Sequence, residues 1–454
     1  MAGSVGVLTL AAILREKSLK PAVVNLDCLY LEFLGSDKDK VPNDFFQFIT
    51  QRLALQSFDV FGFSSICSSY PLTLRLAQQV KNLFPNAQVV LGGPQASVVD
   101  QTTMRAFPCI DFVLRGEADE TFADLLRVLA SRRESSALEQ IRGLTFRRDN
   151  EVVRNHNAKV VENLDVLPLP AFDLDPDLKR RGSIYLELGR GCPFACTFCS
   201  TNDFFRRNFR LKSPWKMIRE MEQVKAETGI ANFSLIHDMF TVDRKRVVAF
   251  CDALLACKDR FTWACSARTD CVDDALIERM ANAGCRGIFF GIETGSERLQ
   301  RKIRKDLDLE QAMQRIECAD RLGIKTAVAL ITAFPDETYE DLRDTIHFFV
   351  DSSRFDHAEP QLSLLAPLAG TALHDAYKDE LILDCVFSDM SHQGWQQDPA
   401  DLEMIKRYPD VFPNFYAIPT SSVPRRYFKE VRDFVAFLTS WFRWLPVALL
   451  QDSG

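Results

Sequence analysis

Three thiols, Cys192, Cys196 and Cys199, stand within eight residues in Leu188-Gly-Arg-Gly-Cys-Pro-Phe-Ala-Cys-Thr-Phe-Cys-Ser200. Cysteine thiolates hold iron–sulfur clusters, and three of them on a cubane leave one iron without a protein ligand. An open metal position is where a small molecule can be bound and activated. Arg190, Gly191 and Pro193 place the first thiol in a turn just past the apolar run Ile184 to Leu188, so the stretch reads as a loop after a strand. Phe198, just before the last thiol, is placed to shield a cluster or the ligand on it. Structural zinc normally closes with four ligands, and no fourth Cys or His lies near these three in sequence. A disulfide framework belongs to small secreted chains, whereas 13 cysteines here are spread over 454 residues, an odd number, with no secretory leader. Most of the others, among them Cys251, Cys257, Cys265, Cys285 and Cys318, fall singly on apolar faces and read as core residues. Cys265 and Cys271 are the two that could stand near the site.

The elements that must position these thiols follow from periodicity. From residue 182 to 365 a strand and then a helix recur at least six times, with strands expected at Ile184–Leu188, Phe233–Ile236, Thr262–Ser266, Gly287–Gly291, Thr326–Ile331 and Glu359–Leu364. Helix ends are marked by Ser213-Pro214 and Gly229, by Asp308 with Gln311, and by Gly323. Leu309, Met313, Ile316 and Leu322 supply an inward face at helical spacing. The pattern predicts a partial (β/α)6 barrel with its active site at the C-terminal ends of the strands, where the cysteine loop falls.

Ahead of it, residues 1–150 alternate apolar runs with helical patterns. Pro21–Leu26, Val60–Ser64, Gln88–Leu91 and Phe112–Leu114 are expected as buried strands of a Rossmann-like parallel sheet. The Pro-rich stretch Leu164-Asp-Val-Leu-Pro-Leu-Pro170 resists regular structure, and 151–181 reads as an ordered linker. Residues 366–454 form a small, mostly helical segment. Within it, Tyr408-Pro-Asp-Val-Phe-Pro-Asn-Phe-Tyr416 offers a substrate lid or simple packing. The run Tyr427 to Leu450, with Trp441, Phe442, Trp444 and Leu445, reads as a docked terminal helix or an interfacial one.

Composition is that of an ordinary enzyme, with 47% apolar and 26% charged residues. A net charge of −7 argues against a large nucleic-acid footprint. The basic clusters, Arg206-Arg207 with Arg210 and Arg301 to Lys305, lie next to the proposed site and read as facing solvent or an anionic substrate. No apolar run reaches the roughly 18 to 20 residues of a transmembrane helix. Reduced thiols and an oxygen-sensitive cluster point to the cytoplasm.

Cys-x3-Cys-x-aromatic-Cys after a strand resembles the signature of radical S-adenosylmethionine (SAM) enzymes. The resemblance implies a 4Fe-4S cluster whose unique iron chelates SAM, and reductive cleavage to a 5′-deoxyadenosyl radical. It further implies that Asp238, in His237-Asp238-Met-Phe240, meets the SAM amino group, and that Arg268, in Ser266-Ala-Arg268-Thr-Asp270, pairs with its carboxylate. Glu293, in Gly291-Ile-Glu293-Thr-Gly295-Ser296, falls near the ribose or amino end. Ile331-Thr-Ala-Phe-Pro335-Asp-Glu337-Thr338 is similar to the family's Gly-Leu-Pro-Gly-Glu-Thr run, with Ala333 and Asp336 in place of the glycines.

The first domain resembles the cobalamin-binding domain that precedes one large radical SAM group. The matching segments are Val7 to Leu14, Phe61 to Ser65, Leu91 to Ser97, and Arg115-Gly-Glu117 followed by Glu120-Thr121. Ser64, Gly92, Gly93 and Gly116 are the candidate cobalamin contacts. No histidine precedes His156, so cobalt is expected to lack an imidazole from this domain. The strand that usually leads into the first helix is absent, and the sheet is expected to be short of it.

The resemblance implies methyl transfer from methylcobalamin to an unactivated carbon, with a flavodoxin or ferredoxin as electron donor. A cyclase, rearrangement or oxidation catalyst without methyl transfer, and a non-catalytic iron–sulfur protein derived from such enzymes, stay open. A transfer-RNA methylthiotransferase is disfavoured by the absence of an upstream cysteine triad and of a basic C-terminal module. Small metabolite, lipid and peptide substrates are not separated.

Overall fold

The structure, a computed structural model, describes residues 5–36, 44–55, 57–131, 135–175, 177–384, 386, 388 and 399–441. The chain forms two compact units, residues 1–181 with 393–412, and residues 182–392 with 413–454.

The first unit carries a five-stranded sheet in the order β1 (Val60–Ser64), β2 (Gln88–Gly92), β3 (Phe112–Leu114), β4 (Leu144–Arg148), β5 (Glu151–Arg154). The first three strands are parallel with helices between them, as a βαβ pattern requires. The last two are antiparallel, joined at Asp149-Asn150, whose positive φ angles of 48° and 67° suit a tight hairpin. Pro21–Leu26 is not a strand. Residues 21–25 are irregular, and Asn25 instead caps a helix over Leu26–Gly35 by accepting from the Asp27 amide at 3.0 Å. An Asn side chain that bonds the backbone amide two residues on starts a helix and competes with a sheet ladder, and β1 is the edge of the sheet among the described residues.

The stretch 151–181 is ordered and falls in the first unit. It begins with β5, and its short 3-10 turns fold back on the helix Val5–Glu16. Ala171 donates to the Leu8 carbonyl at 3.0 Å and packs on Ala11 and Ala12, while Leu164 and Leu167 pack on Ile13. Prolines exclude regular structure there without excluding burial.

The second unit is a six-stranded, all-parallel sheet in the order β13 (Ala358–Leu364), β12 (Lys325–Thr332), β11 (Cys285–Glu293), β10 (Thr262–Ala267), β9 (Asn232–Ile236), β6 (Ile184–Glu187). Two short strands, β7 (Gly189–Arg190) and β8 (Arg210–Leu211), pair antiparallel beyond β6. Helices follow the strands, with ends that the local chemistry dictates. Ser213 accepts from the Lys216 amide, Asp308 from the Gln311 amide, and Gly229 and Gly323 take φ angles of 77° and 68°. The expected inward face of Leu309–Arg321 is displaced by about one position: Ala312, Ile316, Cys318 and Ala319 are buried, while Leu309 and Met313 are half-buried and Leu322 is exposed. Small residues let the helix lie close to the sheet, which pushes the larger ones outward.

The expected lid divides between the units. Tyr408 and Phe412 pack on Phe107, Phe412 also on Tyr70, and the Val411 carbonyl accepts from Gln95 at 3.0 Å, so these aromatics are core of the first unit. The helix Arg425–Trp441 docks in the second unit through Phe428, fully buried beside Ala333, Leu342 and Leu364. Tyr427, Phe434 and Phe437 are exposed on it, and residues 442–450 lie outside the described residues. Among the described residues no helix is long and apolar enough to cross a membrane.

Candidate functional site

The cysteine loop leaves β6 and is pinned at its root by backbone geometry. A Cβ at Gly189 would collide with the Arg210 carbonyl, and one at Gly191, which has φ 83°, with the Asn208 carbonyl. Both positions therefore require glycine. Arg190 pairs with both carboxylate oxygens of Glu187, at 2.9 and 3.2 Å. Further along, the Thr197 amide donates to the Ile303 carbonyl at 3.0 Å, and the Thr197 carbonyl accepts from the Leu373 amide at 2.9 Å. The loop is thus tied down between its thiols, which are half-buried.

Burial pushes the Cys192 thiol up to about 11, with Cys199 and Asp238 adding to the shift. Cys196 is also raised by burial, and the cations Lys305 and Arg268 oppose the rise. A bound metal supplies the remaining stabilisation of thiolate. Among the described residues no three His, Cys, Asp or Glu side chains are gathered tightly enough to share one metal ion. Cys199 and Cys196 both act electrostatically on Cys192, and three neighbouring thiols are the donor type that iron–sulfur clusters take, so the residues fit that group.

Phe198 turns toward apolar neighbours. It packs on the cluster of Leu299, Ile303, Phe334, Leu365 and Ile418, edge-on to Phe334 at 6.2 Å between ring centres. Asp238 supports the loop, accepting from the Gly191 amide at 3.2 Å and from Thr201 Oγ1 at 3.3 Å. Burial raises its pKa, and those two hydrogen bonds oppose the shift. The neighbouring His237 is buried, accepts from the Met239 amide at 2.8 Å, and is pushed down to about 4 by burial, so it is neutral at pH 7.

Arg268 follows β10. Its guanidinium makes a fork on Asp270 at 2.9 and 2.7 Å and donates to the Lys305 carbonyl at 2.7 Å. It lies 3.9 Å over the ring of Phe194, inside the cysteine loop. Its remaining nitrogen, Nη1, is buried and has no hydrogen-bond partner among the described residues. A buried donor left unmatched costs roughly 1 to 3 kcal/mol, and a ligand carboxylate would satisfy it. Glu293 ends β11 after a register shift, at φ 73°, with its carboxylate 2.8 Å from the Lys305 ammonium. A non-glycine residue held in that region stores strain, a common mark of functional sites.

The turn after β12 keeps its shape without the family's glycine. Ala333 adopts φ 69°, while Glu337, fully buried, accepts from Thr332 Oγ1 at 2.8 Å and from the Phe334 amide at 3.0 Å. Burial pushes Glu337 up to about 7.

Sequence reasoning missed Lys305, Phe194 and the Thr197–Ile303 contact. Lys305 looked like one cation of an exposed run, and nothing local marks it as buried. Of the two further cysteines, Cys265 is buried beside Cys285, whereas Cys271 is near enough to Cys192 to interact with it electrostatically.

In the first unit the candidate cobalamin residues gather at the carboxyl ends of β1, β2 and β3. Gly93, with φ 90°, has no room for a Cβ, which would lie 2.8 Å from the Ser65 carbonyl and 3.1 Å from Ser64 Oγ. Ser97 donates to the Gly93 carbonyl at 2.8 Å and accepts from the Gly116 amide at 3.0 Å, holding these turns together. Ser65 Oγ is buried with no partner among the described residues. Bare backbone and an unmatched hydroxyl at this edge of an open α/β sheet suit a ligand, and the residues fit a corrin.

The comparisons with known proteins match both parts of the chain. The model of the radical SAM superfamily matches residues 186–349, and that of the B12 binding domain matches residues 3–126. The chain is 31% identical over 333 residues to an uncharacterized methyltransferase of Pyrococcus horikoshii, covering 72% of this chain and 71% of that one. It is 27% identical to the anaerobic magnesium-protoporphyrin IX monomethyl ester cyclase of Cereibacter sphaeroides, across 68% of this chain but 51% of the cyclase. In fold it is similar to the radical S-adenosylmethionine methyltransferase TsrM from Kitasatospora setae, with a TM-score of 0.74 over 96% of this chain and 86% of that one at 16% identity.

Proposed function

This chain belongs to the radical SAM superfamily, with a B12 binding domain ahead of its barrel, and from that premise we propose that it transfers a methyl group from SAM to an unactivated carbon. A 4Fe-4S cluster, SAM and cobalamin are the cofactors of such a protein, supplying respectively an electron, a radical and methyl source, and a methyl carrier. Cys192, Cys196 and Cys199 are the residues that would hold the cluster. Arg268 would take the SAM carboxylate through its unmatched nitrogen, and Glu293 would accept from the amino or ribose end. Asp238 would keep the loop in place through the Gly191 amide and offer its remaining lone pairs to the SAM amino group. Ser64, Gly92, Gly93 and Gly116 would form the floor for a corrin. The observation that carries the reading is the buried, half-satisfied Arg268, stacked on the cysteine loop and aligned with Glu293 through Lys305.

The family resemblance supports a flavodoxin or ferredoxin as reductant and a reducing compartment. The match to a cyclase supports a second reading, oxidative or rearranging chemistry without methyl transfer. SAM labelled in its methyl group separates the two. Label recovered with the corrin after anaerobic incubation of the loaded protein supports methyl transfer. Cleavage of SAM with all label left in methionine supports the second reading.

A further inference from the structure

The basic run Arg301-Lys-Ile-Arg-Lys305 is split by the fold. Arg301, Lys302 and Arg304 are exposed, whereas Lys305 is 5% exposed and points its ammonium at Glu293 Oε1, 2.8 Å away. A buried ammonium costs several kcal/mol unless it is paired and hydrogen-bonded, so a lysine at such a place carries a constraint that packing alone would not impose. Its two neighbours, Arg304 and Asp306, both take left-handed conformations, with φ 56° and 53°. Each costs about 1 to 2 kcal/mol, which the surrounding contacts must offset.

Those contacts reach every corner of the site in the second unit. The Lys305 carbonyl accepts from Arg268 Nη2 at 2.7 Å, fixing the guanidinium. The Lys305 amide donates to the Gln300 carbonyl at 3.0 Å, and the Gln300 side chain donates to the Ile292 and Thr294 carbonyls, on either side of Glu293. Two residues back, the Ile303 carbonyl holds the Thr197 amide, between Cys196 and Cys199. The positive charge of Lys305 is also felt at Cys196.

We propose that Lys305 is a positioning residue, which holds the Glu293 carboxylate by its charge and the Arg268 guanidinium by its backbone, in the arrangement that receives SAM beside the cysteine loop. The inference rests on reading that loop as the cluster site. The ammonium has a second effect: it balances the Glu293 charge that also acts on Cys196, and without it that carboxylate would disfavour the more negative reduced state of whatever the thiols hold.

Lys305→Met keeps the stem and removes the charge, leaving Glu293 buried and unpaired, while Lys305→Arg keeps a cation. After anaerobic reconstitution with iron and sulfide, three quantities are read: iron per chain, the dissociation constant for SAM, and the midpoint potential with the electron paramagnetic resonance signal of the dithionite-reduced protein. The expected result is parental iron content in both variants, SAM affinity lowered about tenfold or more and a lower midpoint potential in Lys305→Met, and near-parental values in Lys305→Arg. In a Glu293→Gln background, which buries no unpaired carboxylate, Lys305→Met is expected to add little further loss of SAM affinity, because it acts through Glu293. That background also serves if Lys305→Met alone does not fold. A loaded Lys305→Met protein with parental SAM affinity and potential overturns the proposal, as does a full additional loss in the Glu293→Gln background. A parent protein that takes up no iron overturns the cluster reading instead, and this proposal with it.

Discussion

Glu337 shows how much a single buried group can determine. Its carboxyl closes the turn after β12 by accepting from Thr332 Oγ1 and the Phe334 amide. Burial raises its folded pKa from the ordinary 4.5 to about 7. A raised folded pKa means that the favourable contribution is fully present below pH 4.5 and is lost as pH rises through 7. On the order of 3 kcal/mol is at stake. Glu337→Gln keeps an acceptor for the Phe334 amide and a partner for Thr332 without titrating. The thermal midpoint of the variant relative to the parent is expected to rise between pH 5 and pH 8; a constant difference would remove the argument. At this scale the sequence was legible where residue type and spacing carry chemistry together. The three cysteines and Arg268 were marked by their places after strands. Lys305 was not, because a Lys in a run of cations has the signature of a solvated face, and only the tertiary fold buries it. Asp238 was picked for its place, but its partners prove to be Gly191 and Thr201, which no local pattern announces.

Elements were read with more success when their ends carried chemistry. All six barrel strands lie where alternating apolar runs and capping residues placed them, because a fully buried parallel strand needs a continuous apolar run and its helix needs a cap and a stop. Pro21–Leu26 failed because Asn25 interrupts it and caps the helix Leu26–Gly35 instead. The offset face of Leu309–Arg321 reflects close helix–sheet packing that periodicity cannot resolve. The cysteine loop depends on its hinge glycines, and two of the chain's left-handed glycines make a controlled comparison. Gly191 and Gly229 have similar φ angles, 83° and 77°, but a Cβ at Gly191 meets the Asn208 carbonyl whereas one at Gly229 meets nothing within 4 Å. Gly229→Ala is expected to cost about 1 kcal/mol of stability and leave iron uptake unchanged. Gly191→Ala should lose most of its iron while far-ultraviolet circular dichroism stays that of the parent. Equal iron content in the two variants would show that the hinge does not set the loop.

For the whole molecule, the two proposed ligand sites fall in two compact units, each with its own sheet. Their determinants should therefore separate. Gly93→Ala, which drives a methyl group into the Ser65 carbonyl, is expected to abolish the visible corrin bands and leave iron content intact. Cys196→Ala is expected to do the reverse. Loss of both ligands in either variant would mean that the sites are not independent. The division into an open α/β sheet and a partial barrel was legible from strand and helix alternation. The return of residues 393–412 to the first unit was not, since long-range packing of Tyr408 and Phe412 has no local signal. The central claim is that the three thiols, with Arg268 and Glu293 beside them, serve the reductive cleavage of SAM. The most direct measurement is 5′-deoxyadenosine formed by the anaerobically reconstituted protein with SAM and dithionite. The parent is expected to form it and Cys196→Ala to form none; no product from an iron-loaded parent, or equal product from both, would contradict the account.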